Sequence, residues 1–174
     1  IIFLVVMYLT DTVYVFIFGG NTFNLNSMVV SGDLDLVLIK PVSTQFFMSL
    51  RYVHSYSIVS FIILSSLLIK LIYGYHMAFS PINFIVFIPS FIMGILIFYT
   101  IEFIISCLVF WYRNFSLGGW LSSELLKYSR RPDGIFKGVF RKVIFSIFPM
   151  AMISSVPARM LIFGPDYQLL FLQI

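Results

Sequence analysis

The sequence predicts an all-α integral membrane protein, a polytopic transmembrane helix bundle with a proline-broken or re-entrant segment. Two observations carry that prediction. Of 174 residues, 60% are hydrophobic and only 10% are charged. A soluble domain is roughly half apolar and about a quarter charged, so this few charges cannot cover a water-facing surface. The apolar residues also gather into long runs, and a helix needs about 20 of them to cross the hydrocarbon. The chain reads as a single transmembrane domain over residues 1–174, with spans over residues 1–19, 54–73, 82–112 and 143–163. An aromatic share of 19%, with 21 Phe, suits lipid-facing and interfacial positions.

The first run carries Asp11 near its middle. A carboxylate there is costly in lipid and must face protein or a water-filled cavity. Pairing within the bundle is the plainer role, and contact with a transported substrate the sharper one. Gly19, Gly20 and Asn21 are expected to end this helix, with residues 24–30 forming a short interfacial piece. The chain opens on Ile1-Ile2-Phe3 and closes on Leu172-Gln173-Ile174, inside apolar runs at both ends. It therefore reads as a fragment of a longer protein. A signal peptide does not fit, because a basic leader is absent and Asp11 interrupts the run.

Residues 32–43 interrupt the apolar runs of the first half of the chain. They hold a turn glycine (Gly32), both signs of charge (Asp33, Asp35, Lys40) and a helix-stopping proline (Pro41). Leu34, Leu36 and Leu38 alternate with other residues as in a strand. A short helix or extended turn is preferred, because an isolated strand beside lipid leaves its edges unpaired.

The second span is entered through residues 46–52, and Lys70 can snorkel from its far end. The connection to the third is short, contains His76 and ends in Ser80-Pro81, so these two spans form an antiparallel hairpin. The third run exceeds one crossing. It must tilt, kink at Pro89 or protrude. Glu102 lies deep within it and invites the same two readings as Asp11. Phe110-Trp111-Tyr112-Arg113 resembles an interfacial belt followed by a charge.

Arg113, Lys127, Arg130, Arg131, Lys137, Arg141 and Lys142 then cluster against Glu124 and Asp133, whereas the short hairpin connection has no Lys or Arg. The positive-inside bias puts the hairpin outside and the flanking regions in the cytosol. The basic stretch suits anionic lipid headgroups. The last run carries Pro149, Pro157 and Arg159, which suggests a broken or re-entrant helix ended by Gly164-Pro165-Asp166.

Chemical motifs are scarce. A phosphate-cradling Gly-x-x-x-x-Gly-Lys-Ser/Thr loop is absent, so the chain is not expected to hydrolyse ATP itself. His54 and His76 lie near opposite ends of one span and cannot share a metal. Cys107 is the single cysteine. The nucleophile elbow Gly-x-Ser-x-Gly is missing, and the acids are scattered. Gly134 and Gly138 have helix-dimer spacing but sit in the basic stretch. The net charge of +4 is too small and dispersed for a nucleic-acid binder. No enzyme activity, catalytic residue, metal site or cofactor is expected in this chain.

Taken in order, these features resemble one family. Gly32, Leu34, Asp35, Leu38, Lys40, Pro41 and Val42 come first. Phe110-Trp111, Arg131-Pro132-Asp133-Gly134-Ile135-Phe136, Phe148-Pro149 and Val156-Pro157-Ala158-Arg159 follow. The pattern is similar to that of membrane-spanning permease subunits of type-2 ABC transporters, in the branch of six-span bacterial exporters. The chain departs from that pattern over residues 130–134, where the family favours a Tyr-Pro-Leu-Asp-like run.

The resemblance implies a multi-pass subunit of the bacterial plasma (inner) membrane. It implies cytosolic ATP-binding subunits that hold the ATP, and a second permease copy or a paralogous permease. It also implies that Gly32, Asp33, Leu34, Asp35, Leu38, Lys40 and Pro41 couple ATP hydrolysis to movement in the membrane, with Leu34, Leu36 and Leu38 filling a partner groove. The bland reading of this segment is an elbow helix packed on its own bundle. An amphiphilic cargo suits an apolar, aromatic path, with Asp11, Glu102 and Arg159 as intramembrane polar sites. The family pattern places residues 130–142 outside. The charge bias and the short, polar character of residues 114–126 place them in the cytosol. Rival readings are an ion-coupled secondary transporter in which Asp11 and Glu102 titrate, and a membrane-embedded enzyme or assembly factor.

Overall fold

The structure, a computed structural model, describes residues 1–74, 80–112, 121, 124 and 149–173. All regular elements among these residues are helical. Three helices are long and apolar enough to cross a membrane: α1 (Ile2–Ser31), α4 (Ser57–Gly74) and α5, which runs over Pro81–Cys107 and continues in a 3-10 turn, Leu108–Phe110. Two short helices, α2 (Asp33–Leu38) and α3 (Thr44–Ser49), lie between the first and second of them. A shorter pair, α6 (Met150–Phe163) and α7 (Tyr167–Gln173), follows.

α1 corrects the sequence expectation. It does not end at Gly19, Gly20 and Asn21. The backbone takes a π-helical turn over Val15–Gly19, Gly20 stays right-handed (φ −80°, ψ −20°), and the helix continues to Ser31. The glycine penalty is only about 1 kcal/mol per residue, and tertiary contacts outweigh it here. Residues 24–30 are thus the end of this helix rather than a separate interfacial piece. The true stop is Gly32, whose φ of +81° only glycine adopts without strain.

Lengths set the position of the bilayer. The 18 residues of α4 span about 27 Å, close to the roughly 30 Å of hydrocarbon. The 30 residues of α1 span about 45 Å. α4 begins beside Phe16 and Ile17 and comes level with Ile2 at Leu68, so it runs antiparallel to α1. α5 runs parallel to α1: Phe87 shares a core with Ile2, Phe98 stacks on Tyr14 at 3.9 Å, and Val109 joins Leu25 and Met28. The final third of α1 and the end of α5 therefore project together beyond the hydrocarbon. The excess length of the third apolar run goes into this protrusion, and the helix continues through Pro89. The projecting ends, with α2 and α3, make a foot around Leu25, Met28, Leu34, Val37, Met48 and Val109.

At the opposite end, α6 and α7 form a hairpin against α5. Gly94 lets the backbones meet, since a Cβ there would lie 2.5 Å from the Ile153 carbonyl oxygen. Ala158 and Leu161 pack with Phe87, and Gly164 sits over Asn83, so α6 is antiparallel to the first half of α5. Its 14 residues span only about 21 Å, short of a crossing. Gly164 (φ +92°) reverses the chain. Gln173 then closes the hairpin. Its Oε1 accepts from Ser90 Oγ at 2.7 Å, and its Nε2 donates to the Met152 carbonyl at 2.7 Å. Pro157 does not break the helix; the reversal falls at Gly164. Proline removes a single N–H, and a helix enclosed by neighbours tolerates that loss.

Residues 143–148 of the fourth expected span, the connection that holds His76, most of the basic stretch, the Gly134/Gly138 pair and the family-like residues 131–136 and Phe148 lie outside the described residues.

Candidate functional site

The foot is built around the polar stretch over residues 32–43. Gly32 turns the chain out of α1, and α2 follows at once. Its helical period puts Leu34 and Val37 on one face, where they are 6% and 4% exposed inside the foot core. Leu36, Leu38, Ile39 and Val42 point away and are 62%, 58%, 80% and 50% exposed. The expected trio of groove-filling leucines therefore splits: Leu34 anchors the foot to its own bundle, and Leu36 and Leu38 remain free. The segment forms the short helix preferred from the sequence, and a helix places these leucines on different faces. Asp33, Asp35, Lys40 and Pro41 are all exposed. The Asp33 carboxylate accepts from Ser31 Oγ at 2.7 Å. Ser43 caps α3 by accepting from the Phe46 amide at 3.3 Å.

A polar knot ties this foot to the membrane helices, at residues that sequence reading did not single out. Asn21, 2% exposed, lies at its centre. Its side-chain amide donates to the carbonyls of Ser49 at 2.9 Å and Tyr52 at 2.8 Å, with a longer contact to Ile17 at 3.2 Å. Its Oδ1 accepts from the Tyr52 amide at 2.9 Å. The π-helical turn shifts the hydrogen-bond register just before it, and the Phe16 carbonyl accepts from the His54 amide at 3.1 Å. Gly20 gives the His54 ring its place, because a Cβ on Gly20 would overlap the imidazole.

The knot extends to α5 through Tyr99. Gln45 Nε2 donates to the Tyr99 hydroxyl at 3.1 Å, and Ser49 Oγ donates to the Gln45 carbonyl at 2.7 Å. The single Ser49 proton is spent there, so the 2.6 Å contact between Tyr99 and Ser49 hydroxyls has Tyr99 as donor. These three bonds run from the Gln45 side chain through the Tyr99 and Ser49 hydroxyls to the Gln45 backbone carbonyl, and each hydroxyl both gives and accepts, which strengthens its bonds. Phe18 of α1 packs on the Tyr99 ring at 4.5 Å. The end of α3 is thus bonded to α1 through Asn21 and to α5 through Tyr99. The one sequence signal was Asn21 closing a run of two glycines, a pattern shared by helix breakers and buried hubs.

The intramembrane polar residues are placed differently. Asp11 and Arg159 are half-buried and Glu102 is buried. Each makes an interaction within the structure. Tyr14, Phe98 and Ile153 pack in one cluster. Counted along the helices from that level, Asp11 lies one turn toward the hairpin end and Arg159 about two. Glu102 lies one turn toward the foot. The set spreads over roughly 15 Å along the bundle axis. Among the described residues, no group of three or more His, Cys, Asp or Glu side chains is arranged to hold a metal.

The family model described as ABC-2 family transporter protein matches residues 1–174. No curated protein and no solved structure matches the chain.

Proposed function

The chain belongs to the ABC-2 transporter family, and from that premise we propose that it is the permease subunit of a bacterial exporter in the plasma membrane. ATP is bound and hydrolysed on separate cytosolic subunits, and two permeases, identical or paralogous, alternate access for an amphiphilic cargo. The foot is the receiving element. The observation that carries this reading is an apolar edge outside the spans: Leu36, Leu38, Ile39, Val42 and Phe46 are each at least 50% exposed. Beside water, such a cluster marks a protein contact. The knot of Asn21, Ser49 and Tyr99 gives a push on that edge a rigid route into α1 and α5.

The test is purification of the full-length protein from its native membrane, with its soluble companions identified. A companion ATPase with a phosphate-binding loop, lost when Leu36 and Ile39 are both changed to Ser, is the expected result. A companion that stays bound to the doubly changed protein, with ATPase stimulation intact, would exclude the foot as the receiving element. Transport driven by a proton gradient without ATP would instead support the ion-coupled alternative through Asp11 and Glu102.

A further inference from the structure

Beside the foot lies a cavity of 430 Å³ lined by Asn24, Ser27, Asp33, Lys40, Arg51 and Tyr52, among others. Two cations converge there on one ring. Lys40 Nζ lies 4.7 Å and Arg51 Cζ 5.5 Å from the centre of the Phe47 ring. Arg51 also lies 5.0 Å from the Tyr52 ring, and its Nη1 contacts Met28 Sδ at 3.5 Å. Neither cation forms an ion pair with a described residue. Asp33 is the one carboxylate in the lining, and it is engaged by the Ser31 hydroxyl. The guanidinium and ammonium are thus held beside aromatic faces, and apart from the weak bond from Arg51 to the Met28 sulfur their donors are not taken up by described residues.

The depth of this cavity identifies its ligand. Arg51 and Tyr52 leave the chain at the level of Asn21, and Arg51 reaches toward Met28. At 1.5 Å per residue that is about 10 Å or less past Asn21, where the headgroup layer begins beyond the hydrocarbon. Exposed aromatic residues flank the same depth. Tyr52 and Tyr56 lie on one side, and Trp111 and Tyr112 follow Val109, which packs beside Met28. Such residues form a belt at the membrane–water boundary.

We propose that Lys40 and Arg51 bind the phosphodiester of an anionic phospholipid in the leaflet on the foot side. The guanidinium fork takes two phosphate oxygens, and the Lys40 ammonium takes one as a point charge. Asn24, Ser27 and Tyr52 offer neutral polar groups for a glycerol-type headgroup. The site does not depend on the foot receiving ATPase movement. Arg51, outside residues 32–43, separates the two ideas.

The test is native mass spectrometry of the full-length protein with its partners, extracted in equal phosphatidylglycerol and phosphatidylcholine. The expected result is selective retention of phosphatidylglycerol. R51Q should weaken retention about fivefold and K40Q/R51Q about thirtyfold, since each cation near the surface carries about one such factor. R51K, which keeps the charge but loses the fork, should fall between the native protein and R51Q and so distinguishes loss of charge from collapse of the foot. Equal retention of the two lipids, or a preference that survives K40Q/R51Q, would overturn the proposal. So would release of a soluble partner by R51Q with lipid retention unchanged, which would make the pair a protein contact.

Discussion

The two ends of this bundle are held together by different physics. At the hairpin end, α5 and α6 meet through a missing side chain: Gly94 faces the Ile153 carbonyl, and Ser90, Ser154 and Ala158 are buried around it with at most 2% exposure. Lipid supplies no hydrophobic force between helices, so close backbone approach and dispersion must do the joining. At the foot end, the knot spends side-chain hydrogen bonds on loop carbonyls, and long apolar residues such as Met28, Met48 and Leu34 pack around it. There water or headgroups lie nearby, and burial of apolar surface contributes again. One end is joined tightly with small residues. The other is an assembly of short helices whose geometry rests on a few polar groups.

The largest effect is expected where one side chain serves several partners. Changing Asn21 to Leu removes its contacts to the Ser49 and Tyr52 backbones at once. Each buried group left unpaired costs about 1–3 kcal/mol, so thermal unfolding in detergent should show a loss of about 3 kcal/mol. ATPase stimulation by the assembled complex should fall with it. A variant as stable as the native protein would show that water replaces the amide and that the knot does not set the geometry of the foot. Next comes Gly94→Ala. The added methyl meets a backbone oxygen at 2.5 Å, which cannot swing aside, and overpacking of this kind costs about 1–3 kcal/mol. The comparison predicts that this variant loosens the hairpin end and leaves the foot intact, read as faster amide exchange in α6 with protection of α1 unchanged.

These two positions also show what the sequence could and could not reveal. Hydropathy marks where lipid is, and that was enough for the all-α class and three long helices. Charge, glycine and proline mark where the chain leaves the lipid, which located the foot and Gly32 as its entry. Three-dimensional partnership has no such mark. Asn21 was read as a breaker because its partners, Ser49 and Tyr52, are 28 and 31 residues away. Nothing in the sequence sets Tyr99 apart from the other aromatics. Leu34, Leu36 and Leu38 are the same residue type, and only the packing of the short helix shows that Leu34 is buried while the other two are exposed. Pro157 looked like a break, yet enclosure by neighbouring helices keeps α6 continuous.

A smaller effect is expected from Gly20→Ala. The methyl is compatible with a right-handed helical backbone and raises helix propensity by about 1 kcal/mol. Isolated from its context, it should stabilise α1. In the folded bundle it overlaps the His54 imidazole, which must leave its place beside the π-helical turn. The two contributions oppose each other, so net stability should change by less than about 1 kcal/mol. The position of His54 should change clearly, visible as a shift of its imidazole proton resonances. Adding His54→Ala removes the obstacle, and the double variant should then exceed the His54→Ala protein in stability by the propensity gain. If it does not, the glycine serves the π-helical turn itself rather than the histidine.

The smallest effect on stability, and the most selective on function, should come from Ile39→Ser. Ile39 is 80% exposed at the end of α2 and belongs to none of the foot core. Surface substitutions of this kind change stability by about 0.5 kcal/mol or less. If the exposed edge meets an ATPase, truncating a residue buried in that contact should weaken assembly, and burying an isoleucine in full contributes about 1.5–3 kcal/mol. The same substitution is therefore nearly silent in the isolated chain and costly in the complex, the reverse of the Gly94→Ala pattern. Measuring both variants alone and with the partner would separate a surface that holds this protein together from one that holds it to something else. An Ile39→Ser protein that assembles as well as the native one would move the contact away from this edge, toward the exposed Phe110, Trp111 and Tyr112 at the end of α5.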